Sequence, residues 1–289
     1  MNCLLSFGHG YSAQALTRLL LPKGWQVIGT TRSAEKAARL VGSGVETIVW
    51  PGGVSTETLS DAMGRATHLL ISAGPEGEGG DPVLARLTPD ITKMAGQLRW
   101  AGYLSTTGVY GDHKGAWVDE STPLNPATAR GQLRVDAEAA WAAIAELPLH
   151  VFRLAGIYGP GRGPFAKVRS GTARRIIKPG QVFSRIHVAD IAQVLAASID
   201  RPNPGAIYNV CDNLPAPPED VIGYAAELLG LPLPPATDFE SADMTEMARS
   251  FYAESKRTDN RRLAEELGVE LLYPDYKSGL EALLKAESV

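Results

Sequence analysis

The chain begins with a strand, a glycine turn and a helix in immediate succession, and this stretch constrains the fold more than any other. Cys3–Leu16 reads C-L-L-S-F-G-H-G-Y-S-A-Q-A-L. An apolar run ending at Phe7 is followed by Gly8, Gly10 and Ala13, and apolar residues then recur at helical spacing. This order matches the pattern G-x-G-x-x-G/A at a strand-to-helix junction.

Each small residue of this turn has a physical role if the turn holds a dinucleotide. Gly8 allows the tight turn, Gly10 lets a pyrophosphate approach the backbone, and Ala13 lets the helix pack closely on the strand. The helix N-terminus adds unpaired N–H groups and a partial positive charge. The alternative is an ordinary strand-to-helix turn. We predict dinucleotide contacts from Gly8, His9, Gly10, Tyr11, Ser12 and Ala13, with His9 either touching phosphate or projecting into solvent.

Composition and charge narrow the class of protein. The 289 residues are 44% hydrophobic and 21% charged, with a net charge of −4, which is ordinary for a globular chain and does not favour a nucleic-acid partner. The sequence has neither an apolar run long enough to span a bilayer nor the charged start of a signal peptide. Cys3 and Cys211 lie in apolar runs, which predicts buried, reduced thiols in a cytoplasmic protein rather than a disulfide.

Apolar strands alternate with helical patterns through the first two thirds of the chain. Further strands are predicted at Trp25–Thr30, Val45–Trp50, His68–Ser72, Trp100–Thr106, Leu149–Leu154 and Ala206–Cys211. Helices are predicted at Ala34–Val41, Thr56–Met63, Thr88–Leu98, Gln132–Leu147 and Val188–Ile199. This alternation predicts an α/β fold with a doubly wound parallel Rossmann sheet, covered by helices on both faces.

The last third of the chain is broken by prolines and predicts a smaller, interleaved α+β lobe. Short strands are expected on both sides of a turn within Arg174–His187, and helices near Pro218–Leu229 and Arg261–Leu267. We therefore assign residues 1–163 and 187–211 to the dinucleotide-binding domain. Residues 164–186 and 212–289 form the smaller, substrate-binding lobe.

The end of the second strand bears on the choice of cofactor. An acidic residue there bonds the adenosine ribose and favours NAD(H), whereas an arginine suits the 2′-phosphate of NADP(H). The strand ends in Thr31, Arg32 and Ser33, and the next carboxylate is Glu35 inside a helix. We predict a preference for NADP(H), with NAD(H) possible and with contacts from Thr31, Arg32 and Ser33.

Three further blocks carry a family resemblance. They read Y-L-S-T-T-G-V-Y-G at Tyr103–Gly111, R-L-A-G-I-Y-G-P-G at Arg153–Gly161 and R-I-H-V-A-D-I-A at Arg185–Ala192. In this order after the glycine turn they resemble the extended short-chain dehydrogenase/reductase superfamily, which includes NAD-dependent epimerases and dehydratases. The resemblance spans nearly the whole chain and implies the Rossmann fold and a nicotinamide cofactor.

The family's chemistry uses a Ser or Thr that bonds the substrate oxygen and a Tyr-x-x-x-Lys pair that handles the proton. The resemblance places Thr106 at the Ser/Thr position. Arg130 stands where the Tyr belongs and Arg134 where the Lys belongs. A guanidinium stays protonated and cannot replace a phenol as proton donor and acceptor. The chain therefore resembles the atypical branch that lacks this pair.

These substitutions leave a limited set of candidate catalytic residues. Arg134 is expected to reach the nicotinamide ribose, and Arg130 to hold an anionic group or stabilise an oxyanion. Tyr110 is a candidate proton donor or acceptor, although the family's tyrosine at this position usually packs near the nicotinamide. Asp112 and His113 are either a second acid–base pair or solvated loop residues.

The resemblance also implies cofactor contacts beyond the glycine turn. The fourth strand ends where the cofactor passes from adenine to nicotinamide, and the block after the sixth strand shapes the nicotinamide pocket. The residues concerned are Ser72, Ala73, Gly74, Ala155, Ile157 and Tyr158.

The sequence is compatible with two functions. The first is an NADP(H)-dependent oxidoreductase or epimerase that acts on a small polar, anionic substrate with non-standard acid–base residues. The second is a non-catalytic NADP(H)-binding redox sensor or interaction protein. By analogy with the family, a homodimer would pair through Thr88–Leu98 and Gln132–Leu147; no nucleic-acid or membrane partner is expected. The five histidines show no metal-ligand spacing, so no metal is predicted.

Overall fold

The computed structural model describes residues 1–52 and 56–287, apart from the side chains of Thr56 and Glu78. Thirteen strands occur within the described residues. They are β1 (Cys3–Phe7), β2 (Gln26–Thr31), β3 (Glu46–Val49), β4 (His68–Ile71), β5 (Trp100–Thr106), β6 (Trp117–Val118), β7 (Leu149–Leu154), β8 (Gly156–Tyr158), β9 (Arg175–Ile177), β10 (Arg185–His187), β11 (Ile207–Val210), β12 (Ala236–Asp238) and β13 (Arg257–Thr258).

Eleven α-helices connect and cover these strands within the same described ranges. They are α1 (Tyr11–Leu20), α2 (Ala34–Arg39), α3 (Thr56–Arg65), α4 (Leu84–Met94), α5 (Ala129–Ala142), α6 (Phe165–Arg169), α7 (Val188–Asp200), α8 (Pro218–Leu228), α9 (Glu246–Phe251), α10 (Arg261–Glu265) and α11 (Tyr276–Glu287).

Seven strands form one parallel sheet in the order β11-β7-β5-β4-β1-β2-β3. The chain winds outward from β1 to β3 on one side and from β4 to β11 on the other. The direction of winding therefore reverses between β1 and β4, which is where open α/β sheets bind ligands beyond the carboxyl ends of their strands. The sequence-based prediction of a doubly wound Rossmann sheet is confirmed.

Both faces of the sheet are buried, because neighbouring residues of one strand enter different cores. Leu4 and Leu70 pack with α1, α7 and α10, while Leu5 and Leu69 pack with α3, α4 and α5. All four leucines are fully buried. This explains why the strands read as continuous apolar runs rather than as an alternation of apolar and polar residues.

A third apolar cluster lies outside the sheet. It is built from β8 and helices α6, α8 and α11, and its members include Tyr158, Phe165, Ala225 and Leu280. Three small two-stranded sheets accompany it, pairing β8 with β10, β9 with β12 and β6 with β13. These pairings confirm the expected α+β lobe beside the Rossmann sheet. Its predicted domain boundaries stay predictions, and the last two residues of the predicted lobe lie outside the described residues.

Two helices begin and end earlier in the chain than predicted, and the early start of each follows from a side-chain cap. The helix expected at Thr88–Leu98 is α4, which begins at Leu84 because the Asp81 carboxylate accepts from the N–H groups of Val83 and Leu84, at 2.9 and 3.0 Å. The helix expected at Gln132–Leu147 is α5.

The corresponding cap of α5 is Thr128. Its hydroxyl accepts from Gly131 N–H at 3.1 Å, so the helix begins at Ala129. The helix ends at Ala142.

The two short strands expected within Arg174–His187 are present as β9 and β10, but they pair with β12 and β8 and not with each other. Cys3 and Cys211 are both buried free thiols, as predicted. Among the described helices, none has the length and apolarity required to cross a bilayer.

Candidate functional site

The glycine turn after β1 is held in a conformation that only glycine adopts easily. Gly8 has φ +80°, and a β-carbon at this position would lie 2.6 Å from the backbone nitrogen of Ala73. Gly8 N–H donates to the Thr30 hydroxyl at 2.9 Å, and Gly10 N–H donates to Gly8 carbonyl at 2.6 Å. The turn is therefore pressed against β2 and against the end of β4.

The N-terminus of α1 is open at this turn. Gly10 is the N-cap residue, and among the described residues no side chain caps the helix; its first turn also lacks an acidic residue. The first intrahelical bond runs from Gln14 N–H to Gly10 carbonyl, so the N–H groups of the three preceding residues stand ahead of it. A β-carbon at Gly10 would meet only the Gly8 carbonyl oxygen, at 3.7 Å. Open N–H groups beside this space form a cradle for an anion.

Ser12 and Ala13, in the first turn of α1, are buried. Ala13 is fully buried where α1 packs on the sheet, and Ser12 is 5% exposed. Tyr11 donates its hydroxyl proton to the Pro160 carbonyl at 3.0 Å, and the Arg162 guanidinium lies 5.9 Å from the Tyr11 ring. Tyr11 thus joins the start of α1 to the glycine-rich segment after β8.

His9 does not project into solvent, and that alternative was wrong. It is 5% exposed and its ring packs against Gly29 of β2, where a side chain at position 29 would clash with the imidazole. Neither ring nitrogen has a hydrogen-bond partner among the described residues. Burial lowers the pKa of His9 to about 4, so the imidazole is neutral at physiological pH. A buried imidazole without a hydrogen-bond partner, beside the cradle, is suited to hydrogen-bond a ligand bound there.

The end of β2 presents three polar side chains. Thr31 is buried, and Ser33 caps α2 by accepting from Lys36 N–H at 3.2 Å. Arg32 is exposed, and its guanidinium forms an ion pair with Glu76 on the loop after β4. This carboxylate was not anticipated from the sequence, because its proximity depends on β2 and β4 flanking β1.

The end of β4 lies beside the turn. The N–H groups of Ser72 and Ala73 both donate to the Phe7 carbonyl at 2.9 Å, which fixes this segment against the end of β1. A β-carbon at Gly74 would clash with the guanidinium of Arg134. The absence of a side chain at Gly74 therefore lets Arg134 reach the gap between β4 and β5.

Arg134 is half-buried in that gap. Its Nη1 donates to the Leu104 carbonyl at 2.7 Å and to the Tyr103 hydroxyl at 3.3 Å. Burial raises the pKa of Tyr103 to about 12, so the hydroxyl is protonated. Arg134 lacks an ion-pair partner among the described residues, which leaves its remaining N–H groups able to donate to a ligand.

Arg130 lies one turn earlier on α5 and is exposed. Its guanidinium stacks 4.8 Å from the ring of Phe251 at the end of α9. Phe251 is 52% exposed, so this contact brings α9 of the smaller lobe against the start of α5. A cation flanked by an exposed ring can receive a substrate that carries both an anion and an apolar part.

Thr106 ends β5 and is half-buried. Its hydroxyl accepts from Gly108 N–H at 3.1 Å, as the cap of a short 3₁₀ turn that ends at Tyr110. Gly131 of α5 packs tightly against this turn, because a β-carbon there would lie 3.0 Å from the Gly108 carbonyl. The start of α5, with Arg130 and Arg134, is thereby fixed beside Thr106.

The geometry of Tyr110 does not support the predicted catalytic role. The side chain is fully buried, and its hydroxyl donates to Asn209 Oδ1 at 2.7 Å and accepts from Arg153 Nη1 at 2.9 Å. Burial raises the pKa of Tyr110 to about 12. With both hydrogen-bonding directions taken inside the protein, this phenol is placed for packing.

Asp112 and His113 fit the loop interpretation. The Asp112 carboxylate accepts from Ser255 N–H at 2.9 Å and from Lys114 N–H at 3.0 Å, while the His113 ring lies 3.1 Å from the Tyr110 carbonyl. These bonds tie the loop after β5 to the segment before β13.

The segment after β7 carries the remaining predicted cofactor contacts. Ala155 is buried and its N–H donates to the Val210 carbonyl at 3.0 Å, and Ile157 is half-buried against α1 and α7. Tyr158 is buried, its hydroxyl donates to the Asp275 carbonyl at 3.3 Å, and burial raises its pKa. The Tyr158 hydroxyl therefore donates its hydrogen bond to the smaller lobe.

A buried polar network beneath the site was missed by sequence reasoning. The Glu138 carboxylate accepts from Arg153 Nη2 at 2.8 Å and from the Ser105 hydroxyl, and the two charged side chains are 8% and 3% exposed. The same Arg153 bonds Tyr110. The sequence offered only an arginine in a mostly apolar strand and a glutamate on an alanine-rich helix, and their pairing required the fold.

No group of histidine, cysteine or carboxylate side chains that could hold a metal ion is found in the described part of the chain. The arrangement is instead an open helix N-terminus, two arginines and a threonine along the carboxyl edge of one parallel sheet.

Fold and site together define a class of protein. No family model matches the chain. A structure of a Methylobacillus flagellatus protein assigned to the NAD-dependent epimerases/dehydratases is 28% identical, with a TM-score of 0.72 over 100% of this chain and 99% of that one. The fold is also that of dTDP-glucose 4,6-dehydratase from Bacillus anthracis in complex with NAD, at 16% identity and a TM-score of 0.80 over 100% and 97% of the chains. The chain belongs to the extended short-chain dehydrogenase/reductase superfamily of NAD-dependent epimerases and dehydratases.

Within that class, its family is that of protein YeeZ from Escherichia coli K12. The two are 30% identical over 278 residues, which cover 93% of this chain and 95% of YeeZ. A structure of a conserved protein of unknown function from Silicibacter pomeroyi DSS is 62% identical, with a TM-score of 0.94 over 99% of both chains.

Proposed function

We propose that the protein binds a nicotinamide dinucleotide across the junction of β1 and β4. The open N-terminus of α1 at Gly10 carries this proposal, because it offers free N–H groups and space for a pyrophosphate. The unpartnered imidazole of His9 supports it from the β2 side. The dehydratase with the same fold, whose structure contains NAD, supports it by analogy.

Other residues would hold the rest of the dinucleotide. Thr31, Arg32 and Ser33 lie where the adenosine ribose is expected, and Arg32 favours NADP(H) over NAD(H). Arg134 has donors left for the nicotinamide ribose, and the backbone from Ser72 to Gly74 borders the path between the two ends. Ala155, Ile157 and Tyr158 would line the nicotinamide pocket.

The second part of the proposal is an oxidoreductase or epimerase reaction on a small polar, anionic substrate. A bound nicotinamide supplies a hydride acceptor or donor at its C4 position. Thr106 would orient the reacting oxygen through its hydroxyl, and Arg130 would bind the anionic group. The epimerases and dehydratases of the same fold make a sugar-nucleotide-like substrate the first class to test.

Conversion of a panel of carbonyl and sugar-nucleotide substrates in the presence of NADPH or NADP⁺ tests this reaction; NADPH oxidation reports a reductase, and product analysis reports an epimerase, which leaves the cofactor unchanged overall. We expect Thr106→Ala to abolish turnover while leaving NADPH affinity within twofold of wild type, because Thr106 faces the substrate rather than the anion cradle. Thr92→Ala is the matched control, since within the described residues that hydroxyl donates only to the Thr88 carbonyl of its own helix, at 2.8 Å. Unchanged turnover in Thr106→Ala would show that the reacting oxygen is bound elsewhere.

A non-catalytic NADP(H)-binding sensor is the second candidate, and the burial of Tyr110 favours it. The arginines at positions 130 and 134 cannot relay protons, and the Tyr110 hydroxyl is engaged inside the protein. This candidate predicts tight NADPH binding without hydride exchange. Isotope exchange at C4 of bound NADPH would eliminate it.

We further propose that the chain acts in the cytoplasm as a homodimer, paired through α4 and α5. Residues 1–163 and 187–211 would supply the cofactor side and the remaining segments the substrate side. Light scattering coupled to size-exclusion chromatography measures the mass directly and distinguishes a dimer from a 30.8 kDa monomer.

A further inference from the structure

The adenosine side of the proposed cofactor site contains an acidic residue that does not come from β2. Positions 29–33, where a carboxylate would favour NAD(H), contain none. Glu76, on the loop after β4, instead brings its carboxylate to Arg32 at the end of β2. The loop after β4 therefore supplies the carboxylate that positions 29–33 lack.

The strand order explains how these two loops meet. β2 and β4 are the two neighbours of β1, so their carboxyl ends flank the glycine turn on opposite sides. The ion pair between Arg32 and Glu76 spans the end of β1. The loop that carries Glu76 is itself closed by a bond from Glu76 N–H to the Gly80 carbonyl at 3.1 Å. A dinucleotide on the turn must accommodate this pair at its adenosine end.

We propose that Glu76 sets the choice between NADP(H) and NAD(H), which rests on the proposed cofactor site. Its carboxylate neutralises the charge of Arg32. A 2′-phosphate therefore has to displace this carboxylate from the guanidinium and is repelled by the carboxylate. A ribose 2′-hydroxyl carries no charge and meets no such repulsion. The protein therefore discriminates between the two cofactors less than Arg32 alone would dictate.

The exposure of the pair gives the expected size of this effect. The side chains of Arg32 and Glu76 are 68% and 65% exposed, so water and salt screen their charges. We expect removal of the Glu76 charge to tighten NADPH binding about three- to tenfold at low salt, and less at high salt. NADH affinity should change less than twofold.

Calorimetric titration of Glu76→Gln with NADPH and NADH tests the proposal, and adenosine 2′,5′-bisphosphate and AMP test the adenosine end alone. Glu35→Gln is the matched control, because Glu35 is an exposed carboxylate three residues after Arg32 that pairs with Arg39 instead. We expect the ratio of NADPH to NADH affinity to rise in Glu76→Gln, to stay at the wild-type value in Glu35→Gln, and to fall in Arg32→Gln. In the double variant Arg32→Gln/Glu76→Gln, the effect of removing Glu76 should shrink.

The outcomes separate this inference from the cofactor proposal beneath it. A wild-type ratio in Glu76→Gln, or an equal rise in Glu35→Gln, overturns the role of Glu76 while leaving cofactor binding intact. If neither wild type nor any variant binds NADPH or NADH, the proposed function is overturned and this inference with it.

Discussion

At the scale of one residue, Arg134 stands where the family resemblance implies a lysine, and its guanidinium is placed to donate to a ligand. Its guanidinium reaches between β4 and β5 because Gly74 has no side chain, and it is anchored by the Leu104 carbonyl and the Tyr103 hydroxyl. A planar group with five donors can make these bonds and still face a ligand. The same group cannot exchange a proton, so binding and acid–base chemistry separate at this position.

Replacement of Arg134 should weaken both cofactors equally. In Arg134→Met, we expect NADPH and NADH to bind about tenfold less tightly, since a hydrogen bond from a charged donor to the shared ribose is lost. Isothermal titration calorimetry measures both affinities. Arg130→Met is the control and should bind within twofold of wild type, because that guanidinium lies over Phe251. Wild-type affinity in Arg134→Met would remove Arg134 from the site.

At the scale of an element, α5 is fixed by the buried pair that joins it to the sheet. Glu138 on α5 meets Arg153 on β7 and Ser105 on β5, and Arg153 continues to Tyr110. Both charges are desolvated, so each depends on the other. The helix that carries Arg130 and Arg134 is therefore held in register with Thr106 by a group that does not touch the cleft.

Loss of the Glu138 carboxylate should be strongly destabilising. We expect Glu138→Ala to lower the free energy of unfolding by about 3–5 kcal/mol, because Arg153 is left buried and unpaired. Urea denaturation measures the change. Glu35→Ala is the control. The Glu35 side chain is 75% exposed and pairs with Arg39, so its removal should lower the free energy of unfolding by at most ~1 kcal/mol. A similar small loss in Glu138→Ala would mean that Arg153 finds water or another partner.

Elements with a strong local signal were predicted well. The bounds of β1, β5 and β7 follow from runs that are mostly apolar, and the glycine turn follows from its spacing. The starts of α4 and α5 were misplaced because Asp81 and Thr128 act as caps within polar stretches. Strand β13 pairs with β6 about 140 residues earlier, and two-residue strands leave no periodicity to detect.

The candidate site likewise has parts that the sequence predicts and parts that it does not. The anion cradle was predicted from Gly8 and Gly10, since the fingerprint is local in sequence. The pairing of Glu76 with Arg32 was not, because it depends on the spatial order of three strands. The burial of Tyr110 also depended on partners from β7 and β11, which sequence spacing cannot place.

At the scale of the whole molecule, one buried carboxyl links stability to pH. Asp212 follows β11 and is 1% exposed, and its Oδ2 has no hydrogen-bond partner among the described residues. Burial raises the pKa of Asp212 from its usual value near 3.8 to about 8, despite the opposing charge of Arg185. Asp190 and Asp275 also act on it and favour the protonated form.

This shift predicts a pH-dependent difference between wild type and Asp212→Asn. Between pH 4 and 8 the folded protein keeps a proton on Asp212 that the unfolded chain has released. The contribution of this group is therefore complete at low pH and is lost as the pH rises, by up to about 1.4 kcal/mol per pH unit. Urea denaturation should show the stability of Asp212→Asn rising relative to wild type up to pH 8 and then levelling. A constant difference across this range would mean that Asp212 is ionised in the folded protein.

Dinucleotide binding at the open N-terminus of α1 is tested by titration of wild type and Gly10→Ala with NADPH. A β-carbon at Gly10 has space in the free protein, with the Gly8 carbonyl 3.7 Å away, so the variant should fold with wild-type stability. The added methyl group occupies the approach to the backbone that a pyrophosphate needs. We predict micromolar or tighter NADPH binding by wild type and at least about a hundredfold loss in Gly10→Ala. Equal affinity in the two proteins, or no binding by wild type, would contradict dinucleotide binding at this turn.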